Sequence, residues 1–298
     1  MKTFSFSTLE AEHFTPFPFN ELILSWNGFR PKMGHWTIYI GLYRIHSFSW
    51  SPYLKYATWG ATFQKTFQES TPNIHSHQDV VSAKNYANGF RYKIVAEEGA
   101  TLETLQQIHV FCTDTNQPLL QKLPASSYSL KGIFPHSQMT LAHPRHRDLC
   151  SPTSTAAAIN FLLRQKTVDP LQIAEQVHDS GFDIYGNWIL NTAAAYEVLG
   201  GKYETYVARL TNFCAIHNHL KKNRPVIVSV KGTLPGAKVP YPNGHLMLIV
   251  GYDHEKRQVL CMDPRFDTEE ETLVSYPIEA FLEAWGARRN LAYVFNEN

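Results

Sequence analysis

The sequence predicts two parts of different fold class: an all-β sandwich over residues 1–122 and an α+β domain over residues 123–298. Strand-like runs separated by turn residues make up the first part. The second part has helical patterns first and apolar strand-like runs afterwards, an order typical of α+β proteins. Between the two parts, Asp114–Ser129 is rich in Pro, Ser, Thr and Asn, which predicts a linker.

The first part is predicted to be a sandwich because it contains several short strands separated by turns. Its strand-like runs are Asn20–Trp26, Trp36–His46, Tyr53–Gly60, Phe90–Ala96 and Leu105–Cys112. In the second run, Trp36, Ile38, Ile40 and Leu42 alternate onto one face. The many aromatic residues fit two interpretations: a surface that binds glycan or protein, or the filling of a core between two sheets. The alternation favours the core.

The α+β part contains a cysteine at the start of a predicted helix. Ser151–Ser154 holds residues common at helix starts and a proline that fits only a first turn. Ala156, Ile159 and Leu163 then recur at helical spacing, so the helix has a buried face. Unpaired N–H groups and the helix dipole favour a thiolate over a thiol at such an N-terminus. Cys150 is therefore a candidate nucleophile.

Further helices and strands follow in that order. The predicted helices are Pro170–Ser180, Trp188–Leu199 and Asn212–Lys222, and Gly200-Gly201 is a typical helix end. The predicted strands are Pro225–Val230, His245–Tyr252 and Gln258–Asp263.

Composition argues against several classes of function. A formal net charge of +1 over 298 residues, with signs interspersed, argues against a nucleic-acid partner. No run of 18 apolar residues is present, so no membrane partner is expected. Residues 1–10 lack the apolar core of a signal peptide, so a cytoplasmic location is expected.

The cysteines do not form a recognisable framework. Four of them, widely spaced and without a CxxC pair, suggest neither disulfides nor a zinc ribbon. Cys214, His217 and His219 are spaced irregularly on an otherwise ordinary amphipathic helix, which argues against a metal site. No cofactor and no metal are therefore expected.

A nucleophilic cysteine needs a base, and the base needs an acceptor that orients it. His245 opens a continuous apolar strand, and Asp263 closes the next one before Pro264. A hairpin centred near residue 254 pairs positions whose numbers sum to about 508, as those of His245 and Asp263 do. Their Cβ atoms would then lie ~5 Å apart. The spacing predicts a carboxylate that holds one imidazole nitrogen while the other faces Cys150.

The same segments resemble a known family. Five segments are similar to sequences of C39-like cysteine peptidases: Ser137-Gln138-Met139, Leu149–Ser154, Leu234–Ala237, Gly244–Tyr252 and Met262-Asp263-Pro264. These peptidases are papain-like α+β proteins related to bacteriocin-leader peptidases. The resemblance covers about residues 130–298, and Ser25–Asn27 with Trp59-Gly60 look like the β-sandwich that precedes some members.

The resemblance implies a role for each residue of the site. Cys150 would be the nucleophile, His245 the general base and Asp263 its orienting acceptor. Gln138 would donate to the oxyanion beside the Cys150 N–H. The bacteriocin-leader enzymes are usually fused to a membrane exporter. This chain shows no transmembrane part, so cleavage of double-glycine leaders is not carried over.

We therefore predict a cysteine peptidase that cleaves a peptide or protein through an acyl-enzyme. The Lys231–Asn243 loop would form a wall of the cleft, with Pro235, Gly236 and Gly244 as substrate-binding residues. Two alternatives stay open: an amide-forming acyltransferase with the same residues, and a non-catalytic protein whose first part binds glycan or protein.

Overall fold

The N-terminal half of the chain is built almost entirely of antiparallel strands. The structure is a computed structural model that describes residues 8–298, so the first seven residues of the predicted N-terminal domain lie outside the described residues. Its strands are β1 (Thr8–Gly28), β2 (His35–Arg44), β3 (Ser49–Trp50), β4 (Leu54–Gly60), β5 (Gln64–Ser70), β6 (Ile74–Gln78), β7 (Val80–Glu97) and β8 (Leu105–Thr113). A 3-10 turn at Ile45–Ser47 joins β2 to β3.

These strands form one sheet that closes on itself. The order is β3-β2-β4-β5-β6-β7-β1-β8, and β2 pairs with β7 as well as with β4. Closure is possible because β7 is 18 residues long: its start pairs with β6 and the rest of the same edge pairs with β2. The all-β class of this half agrees with the prediction, but its description as a two-sheet sandwich is not confirmed.

The tryptophans of this half lie inside it. Trp26, Trp36 and Trp59 are fully buried, and the Trp59 ring lies 5.8 Å from that of Trp26 and 5.2 Å from that of Trp36. Such close aromatic packing fills a core and leaves these rings unavailable to a ligand. The prediction that aromatic residues fill the core holds for these three.

The C-terminal half combines five helices with a second antiparallel sheet. The helices are α1 (Cys150–Leu163), α2 (Pro170–Val177), α3 (Trp188–Val198), α4 (Phe213–Lys221) and α5 (Ile278–Gly286). The strands are β9 (Tyr128–Ser129), β10 (Tyr203–Arg209), β11 (Val226–Gly232), β12 (Tyr241–Asp253), β13 (Gln258–Met262), β14 (Leu273–Pro277) and β15 (Leu291–Glu297). Their order is β10-β15-β11-β12-β13-β14, with β9 on β12, and 3-10 turns occur at Gln138–Thr140, His146–Asp148 and Glu270–Thr272.

The observed helix boundaries agree with the predicted ones where the sequence carries a distinct signal for a helix end. Helix α3 ends before Gly200 and Gly201, whose φ angles of 63° and 74° favour glycine. Helix α2 ends at Val177, three residues earlier than predicted, because Asp179 leaves the helix to bridge with Ile184. Helix α1 begins at Cys150 itself, with Leu149 as its N-cap and no side-chain cap.

Buried polar residues join the two halves. The side chain of Asn27 donates to the Thr205 carbonyl (2.6 Å) and accepts from the Thr205 N–H (3.2 Å). Asp179 accepts from the N–H of Thr66 (2.9 Å) and from the amide of Asn187 (2.9 Å). A single apolar cluster also contains side chains of both halves. The halves therefore share a buried interface that fixes their relative placement.

The connection between the halves agrees with the predicted linker in part. Residues 114–127 form neither helix nor strand, whereas Tyr128 and Ser129 form β9. The domain boundary at residues 122 and 123 stays a prediction.

None of the helices within residues 8–298 is long and apolar enough to cross a membrane. The cytoplasmic location stays a prediction.

Candidate active site

Cys150 is the first residue of a helix buried along most of its length. Ser151 to Phe161 are all buried, while Cys150 itself is half-buried and lines a cleft of about 870 Å³. The first N–H groups of a helix have no partner within it. The N–H of Cys150 has no acceptor among the described residues. A sulfur and a free N–H donor therefore stand together at the edge of the cleft.

His245 lies on strand β12 and is joined to Asp263, which follows β13. The Nε2 atom of His245 lies 2.7 Å from the Oδ1 atom of Asp263, and both side chains are buried. Nδ1 is then the nitrogen left for a second partner. His245 lines the same cleft as Cys150, and the two side chains lie near enough for each to shift the pKa of the other. The structure thus brings together the three residues whose spacing predicted a Cys-His-Asp arrangement.

The register by which we predicted this contact is wrong. In the hairpin, Leu248 pairs with Met262 and Asp253 with Gln258, so the paired numbers sum to 510 and 511 rather than about 508. A bulge between Ile249 and Gly251 shifts the register, and the turn falls at residues 254–257. The ladder stops at Met262, and Asp263 reaches His245 from the segment beyond it.

Three donors besides the histidine hold Asp263. The hydroxyls of Tyr241 (2.7 Å) and Tyr276 (2.6 Å) donate to its Oδ2, and the N–H of Arg265 donates to its Oδ1 (3.0 Å). Tyr241 also stacks on His245. A buried carboxylate with a full set of donors stays ionised and fixed in place.

The pKa values of Cys150, His245 and Asp263 all shift in the direction that favours the charged form of the group. Burial alone would raise the pKa of the Cys150 thiol, but the neighbouring His245 outweighs burial and lowers it. Burial likewise opposes a charged ring, but Asp263 and Cys150 raise the pKa of His245 to about 10. For Asp263, burial opposes ionisation, and His245 with the two tyrosines lowers its pKa. The arrangement therefore stabilises a thiolate beside an imidazolium.

Gln138 lies close to the helix start, but its amide is engaged. Its Nε2 donates to the carbonyls of His146 (2.9 Å) and Arg147 (2.8 Å), and its Oε1 has no partner among the described residues. These carbonyls stand four residues before Cys150 and Ser151, where a longer helix would accept from the N–H groups of those residues. Gln138 thus occupies the acceptors that could otherwise take the Cys150 N–H. Its predicted role as an oxyanion donor stays a prediction.

Both halves of the chain line the cleft around Cys150. The N-terminal half contributes residues of β1, β6 and β7 and the turn between the last two: Glu21, His75, His77, Gln78, Asp79, Val80 and Ser82. The C-terminal half contributes residues that include Cys150, Trp188, Gly244, His245 and Arg288. Asp79 accepts from the N–H of Trp188 at 2.8 Å, which joins the two walls. The N-terminal sheet is therefore one wall of the cleft.

The predicted substrate-binding residues separate into two groups. Gly244 lines the cleft, as do Val239 to Asn243 of the predicted loop wall. Pro235 and Gly236 are exposed and are not among the residues that line it. Their contact with a substrate stays a prediction.

Several residues of the site gave no signal in the sequence. Tyr241, Tyr276 and Arg288 come from three separate segments of the chain, and only the fold brings them to Asp263 or Gly244. Asp79 could have been noticed as an acidic residue at the end of a short strand, but the sequence does not connect it to Cys150.

No cluster of metal-ligating side chains occurs within residues 8–298. His217 lies instead in an aromatic environment, with its ring edge-on to those of Tyr128 and Tyr252.

Comparison with known proteins identifies the C-terminal part. The model of the Peptidase_C39 like family matches residues 131–293. A candidate C39-like peptidase from Bacillus anthracis, known from its crystal structure, is 18% identical, with a TM-score of 0.45. That similarity covers 58% of this chain and 98% of the other. No curated protein matches the chain.

Proposed function

The chain belongs to the Peptidase_C39 like family, and we propose that it is a cysteine peptidase acting through Cys150, His245 and Asp263. The observation that carries the proposal is the position of His245 between a buried carboxylate and a thiol. One ring nitrogen is held by a buried carboxylate at 2.7 Å, and the ring lies beside Cys150 in the cleft, near enough for the two groups to shift each other's pKa. This is the relation that nucleophile, base and orienting acceptor require.

The proposed mechanism starts from the ion pair. Because the pKa of Cys150 is lowered and that of His245 is raised, proton transfer from the thiol to the imidazole is favoured, and a thiolate forms beside an imidazolium. The thiolate attacks the carbonyl carbon of the scissile amide. The imidazolium then gives its proton to the leaving nitrogen, and the C–N bond breaks to leave a thioester on Cys150. Water gives a proton to the now neutral His245 and attacks the thioester. The C–S bond then breaks, the acid product leaves, and the thiolate and imidazolium are restored.

The oxyanion formed in each half-reaction needs donors. The Cys150 N–H supplies the first, since it is unbonded and stands at the positive end of α1. Gln138 supplies a second donor if its amide gives up its bond to the carbonyl of His146 or Arg147. Asp263 keeps the imidazole oriented throughout and stabilises its positive charge.

The test is cleavage of a diverse synthetic peptide library followed by mass spectrometry, with wild type, Cys150→Ala and Cys214→Ala compared. Cys214 is also half-buried but lies outside the cleft, so its variant is the matched control. We expect cleavage by wild type and Cys214→Ala, and its loss in Cys150→Ala by at least about 1,000-fold. Equal cleavage by Cys150→Ala, or none by wild type, would refute the proposal.

A further inference from the structure

The cleft carries more positive than negative charge. Its arginines are Arg145, Arg147, Arg265 and Arg288, and its carboxylates are Glu21, Asp79 and Asp148. Two of the carboxylates already have partners, because Asp148 pairs with Arg145 and Glu21 with Arg209. Three arginines have no carboxylate partner among the described residues, and Asp79 is the one carboxylate left to oppose them. A cleft of this kind attracts an anionic ligand.

Among these arginines, Arg288 lies against Asn243 and Gly244, the two residues that precede the proposed catalytic histidine. Its Nη2 donates to the carbonyl of Asn243, and a Cβ added at Gly244 would lie 2.0 Å from that same nitrogen. A guanidinium has five N–H donors. The described residues accept from only one of those of Arg288, and its Nε is left without a partner. Nε is buried, so the donors that Arg288 keeps for a ligand are the N–H groups of Nη1 and the second N–H of Nη2.

The backbone of Arg288 is held by Arg209, whose guanidinium pairs with a residue of the N-terminal half. Arg209 donates to the Arg288 carbonyl at 2.7 Å, and the Arg209 guanidinium is itself paired with Glu21 of β1 at 2.5 Å. Both members of that pair are largely buried, with exposed side-chain fractions of 7% and 15%. A guanidinium on a fixed backbone loses less entropy when it binds an anion.

The position of Arg288 indicates which part of a substrate it meets. In the proposed reaction His245 protonates the leaving nitrogen, so the leaving half of the peptide lies on the histidine side of the scissile bond. Arg288 contacts Asn243 and Gly244, the two residues that lead into His245. A carboxylate in the leaving half is the anion within its reach.

We propose that Arg288 binds a carboxylate in the leaving half of the substrate, so that the enzyme prefers peptides with an acidic side chain or a free C-terminus just after the scissile bond. The inference rests on the proposed peptidase function and adds the class of substrate. Arginine suits this role because its planar fork matches a carboxylate bidentately.

The first test measures kcat/KM on matched peptides. One pair carries Glu or Gln directly after the scissile bond with an amidated C-terminus, and the second pair ends there as a free acid or an amide. We expect wild type to prefer one or both acidic members by roughly 10- to 100-fold, and Arg288→Gln to bring that preference close to one. The pair that shows the preference identifies the source of the carboxylate.

A structural role of Arg288 predicts a different result. If Arg288 only holds Asn243 and Gly244 in place, Arg288→Gln will lower kcat/KM equally for both members of a pair, which overturns the proposal. So does the absence of a preference in wild type. The matched control is Arg257→Gln, since Arg257 is an exposed arginine paired with Glu279 away from the cleft.

A second measurement needs no peptide substrate. It tests the role of Arg288 even if none of the matched peptides is cleaved. Iodoacetate carries a carboxylate and iodoacetamide does not, so the ratio of their alkylation rates at Cys150 reports the positive charge nearby. We expect Arg288→Gln to lower that ratio roughly three- to five-fold, and Arg257→Gln to leave it unchanged. An unchanged ratio in Arg288→Gln overturns the inference alone, whereas a Cys150 no more reactive than an ordinary thiol overturns the peptidase proposal first.

Discussion

The ring of Tyr241 lies flat against the ring of His245, with centroids 4.1 Å apart and planes 12° from parallel. The same tyrosine donates its hydroxyl to Asp263, the acceptor of the histidine. One residue therefore restricts both members of the His-Asp pair, by stacking on the first and hydrogen-bonding to the second. Such support determines whether an imidazole keeps the orientation that catalysis needs.

Cys150 should be the most readily alkylated of the half-buried cysteines below pH 7. Its pKa is lowered by His245, whereas burial raises the pKa of Cys112 to about 12. We expect iodoacetamide to label Cys150 rapidly at pH 6 and to leave Cys112 unlabelled, as measured by mass spectrometry of peptides. In His245→Ala, labelling of Cys150 should require a pH above about 8.5. Equal labelling of Cys150 in both proteins at pH 6 would contradict the ion pair.

Tyr276→Phe should destabilise the protein and make it more sensitive to acid. The change removes one hydrogen bond from a buried carboxylate, at a cost of about 1.5–3 kcal/mol in the free energy of unfolding. The pKa of Asp263 is lower in the folded protein than in the unfolded chain. Its ionised carboxylate therefore stabilises the fold at pH values above the pKa of the unfolded chain. This stabilisation is lost as the pH falls through the pKa of the folded protein. Tyr276→Phe raises the folded pKa, so acid unfolding should begin at a higher pH.

Circular dichroism against pH measures this shift. The matched control is Tyr206→Phe, since that hydroxyl accepts from Asn296 and does not contact Asp263. A common acid midpoint for the two variants would argue against the role given to Tyr276.

Gly244→Ala should impair both folding and cleavage. Gly244 has a φ of 103°, and an added Cβ would meet the guanidinium of Arg288. Backbone strain alone costs about 1–3 kcal/mol, and displacement of Arg288 should lower kcat/KM further. Gly132→Ala is the comparison, because Gly132 has a φ of 80° but open space around it. If both variants keep full kcat/KM, the close packing of Gly244 and Arg288 does not matter to cleavage.

Asp79→Asn should stabilise the protein above neutral pH. Burial raises the pKa of Asp79 to about 7, against about 3.9 in an unfolded chain. Between these values the folded protein holds a proton that the unfolded chain has released, so the stability of the wild type falls as the pH rises. The advantage of Asp79→Asn should grow from near zero at pH 4 to at most about 4 kcal/mol above pH 7.

Urea unfolding at several pH values between 5 and 8 measures this difference. Asp183→Asn provides the contrast, because His178 and Arg145 lower the pKa of Asp183 and keep it ionised throughout that range. An advantage of Asp79→Asn that does not change with pH would rule out the titration of Asp79 as its cause.

Local signals in the sequence were sufficient to predict the helices whose ends carry typical start or stop residues. The Gly200-Gly201 pair marked the end of α3 to within one residue, and the residues around Cys150 placed the start of α1. The hairpin argument correctly predicted that His245 and Asp263 are in contact, although the register it assumed was wrong by two to three residues. It succeeded because a side chain just beyond a ladder can still reach across to the neighbouring strand.

What the sequence missed depends on distant contacts. Strand β5 was not predicted, since its polar residues are buried by contacts with distant segments: Gln64 donates to the carbonyl of His178, and Asp179 accepts from the N–H of Thr66. The donors of Asp263 were missed for the same reason, because Tyr276 belongs to an edge strand that no local pattern links to the site. Periodicity reports whether a face is buried, but not which segment buries it.

The apolar cluster shared by the two halves has a consequence for the part of the chain that matches the family. Helix α3 packs on β1, and Asn27 of that strand supplies hydrogen bonds to β10. A fragment cut out at residues 131–293 would turn these covered surfaces towards water and tend to self-associate. The C-terminal half of this protein therefore does not stand alone: expressed by itself or joined to another protein, it needs the N-terminal sheet to cover these surfaces.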